Sequence, residues 1–515
     1  MEYALEMRGI TKTFGRVVAN RDVNLTVYKG EILSLLGENG SGKTTLMNML
    51  SGIYYPDSGE ILVNGELAEI HSPRDAYRYG IGMVHQHFKL IDVFTATENI
   101  ALMLDKSEKF SLKDVRDRAQ AICDRYHFDL DLDQKVYAMS VSQKQTLEIV
   151  KVLFRGASLL ILDEPTAVLT PQETDKLFAV MSHMREDGKS IIIITHKLHE
   201  VLAISDRVTI LRKGEYIGTV DTKNASESSL TEMMVGKKVT LNIDRGEPGE
   251  RHLRLSIRNL NVVNPEGVPV LKDVSFDVFG GEILGIAGIS GNGQKELLEA
   301  IAGLQPVSEG TSIIYYPDND RDSTAEQLTS KTPREIRDMG VHLSFVPEDR
   351  LGMGLVGSLG MTDNMMLKSY TKGASPVADR QAPRRLAEHV KEELEVVTPS
   401  IHTPVSRLSG GNVQKVLVGR EIAAAPSVLM AAYAVRGLDI NTSYTIYHLL
   451  NEQKQNGVAI VYVGEDLDVL VDLCDRILVL CGGQNNGIVD GRHTTKEEVG
   501  LLMTRLQKKG GAADE

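Results

Sequence analysis

The segment EILSLLGENGSGKTTLMNMLSG, residues 31–52, predicts a buried strand that runs through a glycine-rich loop into a helix. Its loop, GENGSGKTT at 37–45, fits the pattern G-x-x-x-x-G-K-[ST] of a phosphate-binding loop. In such a loop, backbone N–H groups at the helix N-terminus surround a phosphate. Lys43 can reach the β- and γ-phosphates, and the Thr44 hydroxyl can bind Mg²⁺. The strand–loop–helix order therefore predicts a nucleotide site.

A second copy of this segment occurs later in the chain. The stretch PVLKDVSFDVFGGEILGIAGISGNGQKELLEAIAG at 269–303 matches the pattern of 17–52. The two glycine loops lie 251 residues apart, whereas the later motifs MSVSQKQ at 139 and LSGGNVQ at 408 lie 269 apart. The second copy therefore has about 18 additional residues between these motifs. The repeat predicts two tandem, related domains.

We place the first domain at 1–241 and the second at 253–503. A polar linker at 242–252 joins them, and a disordered tail is expected at 504–515. In each copy, apolar strand candidates alternate with helical periodicity, which is typical of an α/β fold around a mainly parallel sheet. The runs LLIL at 159–162 and IIII at 191–194 suit buried parallel strands. They are much shorter than the roughly 20 apolar residues that cross a bilayer, so we expect a soluble chain.

Composition excludes several classes of function. A net charge of −13 over 515 residues argues against a nucleic-acid-binding surface. The N-terminal stretch MEYALEMRGITKTFG lacks the features of a signal peptide. The three cysteines, Cys123, Cys474 and Cys481, have no metal-binding spacing and indicate reduced intracellular thiols.

Polar side chains follow three predicted strands of the first copy. In LLILDEPT at 159–166, Asp163 suits Mg²⁺ binding through water, and Glu164 suits a general base for the attacking water. His196 follows the strand IIII and is positioned for a γ-phosphate contact. Gln86 occupies a similar place in GMVHQHFKL at 82–90, and its amide can bind Mg²⁺ or the attacking water.

These motifs, in this order, resemble those of the ATP-binding cassette ATPases over essentially the whole chain. The resemblance implies two P-loop NTPase domains, each with a parallel sheet, flanking helices, an antiparallel β portion and a helical subdomain with the signature motif. It implies ATP and Mg²⁺ as cofactors, with Phe14 stacked on the adenine. The implied nucleotide-binding residues are Phe14, Gly37, Glu38, Asn39, Gly40, Ser41, Gly42, Lys43, Thr44, Thr45 and Gln86. The implied catalytic residues are Glu164 and His196, and the implied Mg²⁺ ligands are Thr44, Gln86 and, through water, Asp163.

The second copy lacks these groups at every matched position. Alignment without a gap puts Gln294 in the place of the lysine and Lys295 in the place of the Mg²⁺-binding threonine. At that position, Lys295 is a candidate for a fixed positive charge in place of Mg²⁺, which would favour the binding of nucleotide without metal. Ala432 and Tyr433 stand in the places of Asp163 and Glu164. Glu348 stands in the place of Gln86, and Glu465 in the place of His196. Since loss of a general base alone typically costs about 10²- to 10⁴-fold in rate, we predict that this degenerate site does not hydrolyse ATP.

The resemblance also implies that the two cassettes pair head to tail within the chain. Each ATP would lie between the phosphate loop of one cassette and the signature of the other. The intact signature LSGGN at 408–412 would complete the first site with Ser409, Gly410, Gly411 and Asn412, since a hydroxyl, N–H groups and a helix N-terminus favour anions. In the first copy, Val141 and Ser142 replace the signature glycines, and Thr170 replaces the residue that matches Asp439. One site is therefore expected to be complete and the other degenerate.

The motifs LSGGNVQK, VPEDR (346–350) and TAVLTPQE (166–173) resemble those of tandem ATPases of sugar importers. MVHQHFKL and SVSQ are more similar to the nucleoside-uptake branch. The resemblance implies a peripheral protein on the cytoplasmic face of the membrane, with two membrane permeases and an extracellular or lipid-anchored substrate-binding protein as partners. A permease loop would dock near Gln86 and KLIDVFTATENI at 89–100.

We expect a nucleoside as cargo, with a ribose-, galactose- or xylose-type sugar as the alternative. A tandem cassette acting on ribosomes is a more remote alternative, because such proteins have a long charged interdomain arm and two intact sites. A DNA-repair ATPase would need coiled-coil or zinc insertions, and neither heptads nor C-x-x-C pairs occur in the sequence.

Overall fold

The computed structural model describes residues 2–15, 17–86, 88–104, 110–167, 169–236, 243–247, 251–264, 267–289, 291–317, 325–369 and 379–504. Residues 242 and 248–250 of the predicted linker, and residues 505–515 of the predicted tail, lie outside this range. The chain divides into two compact units, Met1–Thr240 and Leu241–Glu515.

The first unit contains ten strands and eight α-helices in its described residues. The strands are β1 (Tyr3–Phe14), β2 (Val17–Tyr28), β3 (Ile32–Leu36), β4 (Ser58–Val63), β5 (Glu66–Leu67), β6 (Ile81–Val84), β7 (Leu159–Asp163), β8 (Ser190–Ile194), β9 (Arg207–Arg212) and β10 (Glu215–Asp221). The helices are α1 (Lys43–Leu50), α2 (Pro73–Arg78), α3 (Ala96–Ala101), α4 (Leu112–Tyr126), α5 (Val141–Phe154), α6 (Pro171–Glu186), α7 (Leu198–Ile204) and α8 (Glu227–Val235).

A six-stranded sheet in the order β10-β9-β3-β8-β7-β6 forms the centre of this unit. All neighbours pair in parallel except β9 and β10. Strands β3, β7 and β8 are buried along their whole length, because hydrophobic clusters cover both faces of the sheet. Alternate residues enter different clusters, as Ile192 and Ile191 show on β8.

Two smaller parts flank the central sheet. The antiparallel sheet β2-β1-β4-β5 shares a core with α1. Helices α3, α4 and α5 form a helical part with its own core, which includes Ile100, Val115, Ala119 and Phe154. The motif MSVSQ lies at the N-terminus of α5, where Ser140 caps the helix.

The second unit repeats this architecture. Its strands are β11 (His252–Val263), β12 (Pro269–Gly280), β13 (Ile283–Gly288), β14 (Ser312–Tyr315), β15 (Glu326–Gln327), β16 (Leu343–Val346), β17 (Val428–Ala432), β18 (Ala459–Val463), β19 (Arg476–Cys481) and β20 (Gln484–Asp490). Its helices are α9 (Gln294–Ile301), α10 (Pro333–Asp338), α11 (Met361–Met366), α12 (Gln381–Glu393), α13 (Gly410–Ala423), α14 (Ile440–Gln455), α15 (Leu467–Leu473) and α16 (Lys496–Thr504).

The strand orders of the two units correspond one to one. The sheets of the second unit are β20-β19-β13-β18-β17-β16 and β12-β11-β14-β15. The repeat in the sequence is therefore a repeat of the fold, and the predicted α/β class is confirmed. Within the described residues, no helix combines the length and the apolar character that crossing a bilayer requires.

The structure places parts of the predicted linker and tail in folded elements. Strand β11 begins at His252, and α16 extends to Thr504. Arg245 donates hydrogen bonds through Nη1 to the carbonyl oxygens of Val471 (2.9 Å) and Cys474 (2.7 Å). These bonds attach the described linker residues around Arg245 to the second unit.

Candidate nucleotide-binding site

The glycine loop of the first unit connects β3 to α1 and curls back on its own lysine. Lys43 is the first residue of α1 and is buried. Its Nζ donates hydrogen bonds to the carbonyl oxygens of Gly37 (2.6 Å) and Glu38 (3.1 Å), which lie at the start of the loop. Burial lowers the pKa of Lys43, and the nearby carboxylates Glu164 and Asp163 oppose that shift. The loop therefore closes around the ammonium group of its own lysine.

Several features of this loop fit a phosphate group. Gly42 caps α1 with a φ of 95°, in the left-handed region that favours glycine. A Cβ atom on Gly37 would lie 2.3 Å from the carbonyl oxygen of Leu211, so no side chain fits there. The buried Ser41 Oγ has no hydrogen-bond partner among the described residues. An unpaired buried hydroxyl next to a helix N-terminus is a donor that an oxyanion can satisfy.

Two carboxylates lie at the end of β7. Asp163 is buried and pairs in register with Ile194 of β8. Burial raises the pKa of Asp163 to about 6, and the charge of Glu164 acts in the same direction. Glu164 has a φ of 47°, and its N–H donates to the carbonyl oxygen of Ile194 at 2.8 Å. This positive φ is uncommon for a residue other than glycine, and it turns the glutamate away from the strand direction.

The side chains that follow β6, β7 and β8 meet at Glu164. Gln86 Nε2 donates to Glu164 Oε2 at 2.8 Å, and His196 Nδ1 lies 3.1 Å from Glu164 Oε1. The hydrogen bond with His196 is the main cause of a lowered pKa of Glu164. Lys43, Asp163, Glu164, Gln86 and His196 thus lie at one edge of the sheet, as expected for the carboxyl ends of parallel strands. Mg²⁺ prefers oxygen ligands, and Asp163, Thr44 and the Gln86 amide supply that set.

The structure adds a residue that the sequence motifs did not suggest. Glu200, in the first turn of α7, is buried and accepts hydrogen bonds from Thr166 Oγ1 (2.6 Å) and Thr195 Oγ1 (3.3 Å). It also pairs with Lys197, at 3.1 Å. Glu200 therefore fixes the loops after β7 and β8 to each other and holds Glu164 and His196 in place. A glutamate four residues after the histidine gave only a weak signal, because such spacing is common in helices.

Phe14 is the last residue of β1 and is 43% exposed. An exposed aromatic side chain at this place is able to stack on a nucleotide base. Phe14 pairs in register with Val17, and Lys12 pairs with Asn20 in the same hairpin. Asn20 in turn donates to the carbonyl oxygen of Gly42 at 3.3 Å. The hairpin that bears Phe14 is thus attached to the phosphate loop.

In the second unit, Gln294 stands where Lys43 stands in the first. It is the first residue of α9, after Gly293 with a φ of 98°, and its Nε2 donates to the carbonyl oxygen of Ile289 at 3.1 Å. Lys295 is 56% exposed at its side chain, and its Nζ lies 3.8 Å from Glu299 Oε1. Lys295 therefore pairs along its own helix, which does not favour its expected role as a fixed cation at the phosphates.

The backbone after β17 has the same turn as the backbone after β7. Ala432 pairs in register with Val463, and the Tyr433 N–H donates to the Val463 carbonyl oxygen at 2.9 Å. Tyr433 has a φ of 50°, close to that of Glu164. Burial raises the pKa of Tyr433 to about 12, so its hydroxyl is neutral at physiological pH. Ala432 and Tyr433 thus occupy the positions of Asp163 and Glu164, and neither of them supplies a negative charge.

Arg436, which the sequence motifs did not suggest, reverses the charge arrangement at this second site. Its guanidinium contacts Glu348 through Nη1 and lies 3.1 Å from Glu465 Oε1 through Nε. Glu348 and Glu465 each stand two residues beyond a strand, as Gln86 and His196 do. In the first unit an amide and an imidazole hold one carboxylate; in the second unit one guanidinium holds two carboxylates.

The signature motifs form helix N-termini in both units. Ser409 caps α13 and its Oγ accepts from the Asn412 side chain at 2.8 Å, with Gly410 and Gly411 in the first turn. In the first unit, Val141 and Ser142 occupy the first turn of α5. Thr170 and Asp439 likewise cap α6 and α14. Since threonine and aspartate both serve as N-caps, the difference between them does not disturb the fold.

Comparisons with known proteins agree with these observations. The family model for "ABC transporter" matches residues 20–167 and 271–431, which include both glycine loops. The chain is 41% identical to the nucleoside import ATP-binding protein NupA of Lactococcus lactis subsp. cremoris, over 98% of each protein. It is 41% identical to the guanosine import ATP-binding protein NupO of Bacillus subtilis, over 100% of each. It is 42% identical to the glucose import ATP-binding protein TsgD13 of Haloferax volcanii, over 97% of this chain and 95% of that protein.

Proposed function

This chain belongs to the ABC transporter family and is an importer ATPase, and we propose that it drives nucleoside uptake with a single hydrolytic site. One observation supports the hydrolytic site above all: Gln86 and His196 both contact the Glu164 carboxylate. This carboxylate lies beside the phosphate loop, whose carbonyl oxygens Lys43 contacts. Similarity to a nucleoside and a guanosine import protein along the whole chain supports the cargo.

In the proposed mechanism, the loop from Gly37 to Thr45 binds the phosphates of ATP, and Lys43 leaves its carbonyl contacts to reach the β- and γ-phosphates. Asp163, Thr44 and the amide oxygen of Gln86 would hold Mg²⁺, which neutralises phosphate charge when bound. Glu164, ionised because its pKa is lowered, accepts a proton from the attacking water. The oxygen of that water forms a bond to the γ-phosphorus as the bond to the β-phosphate oxygen breaks. His196 contacts the γ-phosphate and keeps Glu164 oriented.

We propose that the second phosphate loop does not support hydrolysis. The position of Glu164 has no carboxylate to accept the water proton, because the Tyr433 hydroxyl is neutral there, and the carboxylates of Glu348 and Glu465 are both paired with Arg436. A carboxylate for Mg²⁺ is missing as well, because Ala432 stands at the end of β17. The intact signature around Ser409 would instead complete the first site through pairing of the two cassettes. The sorting of intact and altered motifs into one complete set and one degenerate set supports this pairing.

Two membrane permeases and an extracellular or lipid-anchored substrate-binding protein are the proposed partners, with this chain at the cytoplasmic face of the membrane. In the first unit, a cavity of about 250 Å³ lies next to the Gln86 segment and is lined by His85, Lys89, Met103, Glu148 and Lys151, among others. The exposed Ile91 and Val93 follow in sequence. We propose that a permease loop packs at this place.

The contacts of this segment can transmit movement to the helical part. Lys151 on α5 pairs with Glu148 at 3.0 Å and donates to the carbonyl oxygen of Lys89 at the same distance. Glu148 accepts from the Lys89 N–H at 2.6 Å. Displacement of residue 89 by a partner would therefore pull on α5, whose N-terminus bears Ser140.

The cargo is tested through the partner proteins. We would purify the permeases and binding protein that associate with this chain, then measure thermal shifts of the binding protein with nucleosides and with ribose, galactose, xylose and glucose. A shift with nucleosides alone supports the proposal. A shift with a monosaccharide alone would assign the sugar alternative, which the 42% identity to a glucose import protein keeps open. The import proteins among the relatives favour transport over the ribosome-acting alternative.

A further inference from the structure

Phe14 in the first unit is surrounded by groups that the proposed mechanism does not use. The ring of Tyr54 meets the Phe14 ring edge-on, with 5.1 Å between centroids and an angle of 70° between planes. Edge-to-face geometry at this distance is a favourable arrangement of two aromatic rings. Lys12 Nζ lies 5.6 Å from the Phe14 centroid, within the range of a cation–π contact. These contacts restrict the orientation of an otherwise exposed ring.

Asp57 fixes the backbone immediately before Phe14. Its Oδ2 accepts from both the N–H and the Oγ1 of Thr13, each at 2.7 Å, and its Oδ1 accepts from Lys12 Nζ at 2.8 Å. Its own N–H donates to the carbonyl oxygen of Thr11 at 2.8 Å. The contacts with Lys12 and then Thr13 lower the pKa of Asp57 to about 2, so the carboxylate keeps its charge throughout the physiological range.

The same segment is tied to the helix that follows the phosphate loop. The N–H groups of Ile53 and Tyr54 donate to the carbonyl oxygen of Asn48, near the end of α1, at 2.8 and 3.1 Å. Tyr54 is thus attached to α1 through its backbone and to Phe14 through its ring. Together with the bond from Asn20 to the loop, this arrangement fixes the Phe14 ring relative to the expected phosphate position.

The second unit has lost this set of residues together. The Ser308 N–H donates to the Asn261 carbonyl oxygen at 2.9 Å, which repeats the bond from Asp57 to Thr11. Ser308 therefore stands where Asp57 stands in the first unit. By the register of β11, Val263 stands in the place of Thr13 and Asn264 in the place of Phe14. At these three matched positions the second unit has neither the carboxylate, nor the threonine hydroxyl, nor the aromatic ring, and its catalytic groups are also replaced.

We propose that Asp57 and Tyr54 are positioning residues that hold Phe14 as a preformed stacking surface for the adenine of ATP at the first site. The inference rests on the proposed function of that site. A ring already fixed in its bound orientation loses less freedom when the base binds, and affinity rises accordingly. Neither residue touches the phosphates in this arrangement, so both should affect recognition of the base and not of the phosphate chain.

Two probes separate these effects in the full-length chain: ATP and inorganic tripolyphosphate, each measured by displacement of a fluorescent ATP analogue. A Lys43→Ala chain measured in parallel defines the binding that requires the first phosphate loop. Base–aromatic stacking is worth about 1–3 kcal/mol by alanine substitution, so Phe14→Ala should weaken ATP binding about 5- to 150-fold. Asp57→Ala should weaken ATP binding about 3- to 10-fold and change tripolyphosphate binding less than twofold.

Matched variants complete the test. Tyr54→Phe should bind ATP like the wild type because the ring edge remains, whereas Tyr54→Leu should resemble Asp57→Ala. Ser308→Ala, the matched change in the second unit, should leave both affinities unchanged. If Asp57→Ala weakened both probes equally, or neither, the positioning role would be refuted. If ATP binding did not depend on Lys43, the proposed function itself would fail, and this inference with it.

Discussion

Substitution of Glu164 by glutamine should stop hydrolysis while it preserves the site. Glu164 Oε2 accepts from Gln86 Nε2 at 2.8 Å, and Oε1 lies 3.1 Å from His196 Nδ1. A glutamine side chain has the same shape. Its carbonyl oxygen can accept from Gln86, and its NH₂ group can donate to Nδ1 of a neutral His196. The constellation at the strand ends therefore survives, and only the proton acceptor is lost.

The size of the effect follows from that single loss. Removal of a positioned general base typically costs about 10²- to 10⁴-fold, which is about 3–5 kcal/mol of transition-state stabilisation. ATP binding should change less than about fivefold, because Lys43 and the glycine loop are untouched. Any change should be towards tighter binding, since the substitution removes a negative charge near the γ-phosphate. The expected variant is one that binds ATP and does not turn it over.

The assay is steady-state ATP hydrolysis by the chain assembled with its permeases, with ATP binding measured on the same preparation. Tyr433→Phe is the matched control, because Tyr433 has the same backbone turn and the same strand-end position in the second unit. Its rate should stay within about twofold of the wild type. A Glu164→Gln rate above one tenth of the wild-type rate, or an equal loss in Tyr433→Phe, would refute the assignment of hydrolysis to the first site.

Three further predictions address the second unit and its contribution. Gln294→Lys can restore a lysine contact to the loop, but it should not restore hydrolysis in a chain that lacks the first-site base; phosphate release above background would contradict this. Ser409→Ala and Ser140→Ala should each cost about 1 kcal/mol as lost helix caps, measured by denaturant unfolding, yet only Ser409→Ala should lower ATP hydrolysis. Lys454→Ala should destabilise the second unit by about 2 kcal/mol in urea unfolding, because it removes the nearer cation, at 2.9 Å, from the buried carboxylate of Asp475 and leaves Arg492, at 3.5 Å, as its ion-pair partner among the described residues; a loss below 1 kcal/mol would contradict a buried pair.

Much of the fold and of the first site could be predicted because the relevant signals are local. The run EILSLL, the loop and the following helix are contiguous, and each was found within a residue or two of its predicted bounds. The side chains after three strands were predicted to converge because parallel strands end at one edge of the sheet. Gapless alignment of the two loops was sufficient to place Gln294, and matching VLMAAYAVRGLD (428–439) to the pattern of LLILDEPT was sufficient to place Tyr433.

The remaining features depend on contacts between residues that are distant in sequence. Arg436 lies 88 residues from Glu348, and nothing near either residue in sequence indicates that they pair. Asp57 lies 44 residues from Thr13, and its role appears only when the segment after α1 is seen against the β1–β2 hairpin. The expected role of Lys295 as a fixed cation at the phosphates stays a prediction, and the nearness of Glu299, 3.8 Å away on α9, could not be read from the alignment of the two loops.

The second unit also shows which feature of the first unit indicates catalysis. Glu164 has a positive φ, and such a conformation at an active site is easily interpreted as functional strain. Tyr433, however, has the same conformation and makes the same backbone bond to the neighbouring strand. Because the turn persists where catalytic side chains are missing, it belongs to the fold. The difference between the two sites therefore resides in the side chains: a carboxylate held by an amide and an imidazole in one unit, and a guanidinium held by two carboxylates in the other. That reversal of charge, beside a turn that both units share, is the strongest physical argument for the proposal that only one of the two phosphate loops hydrolyses ATP.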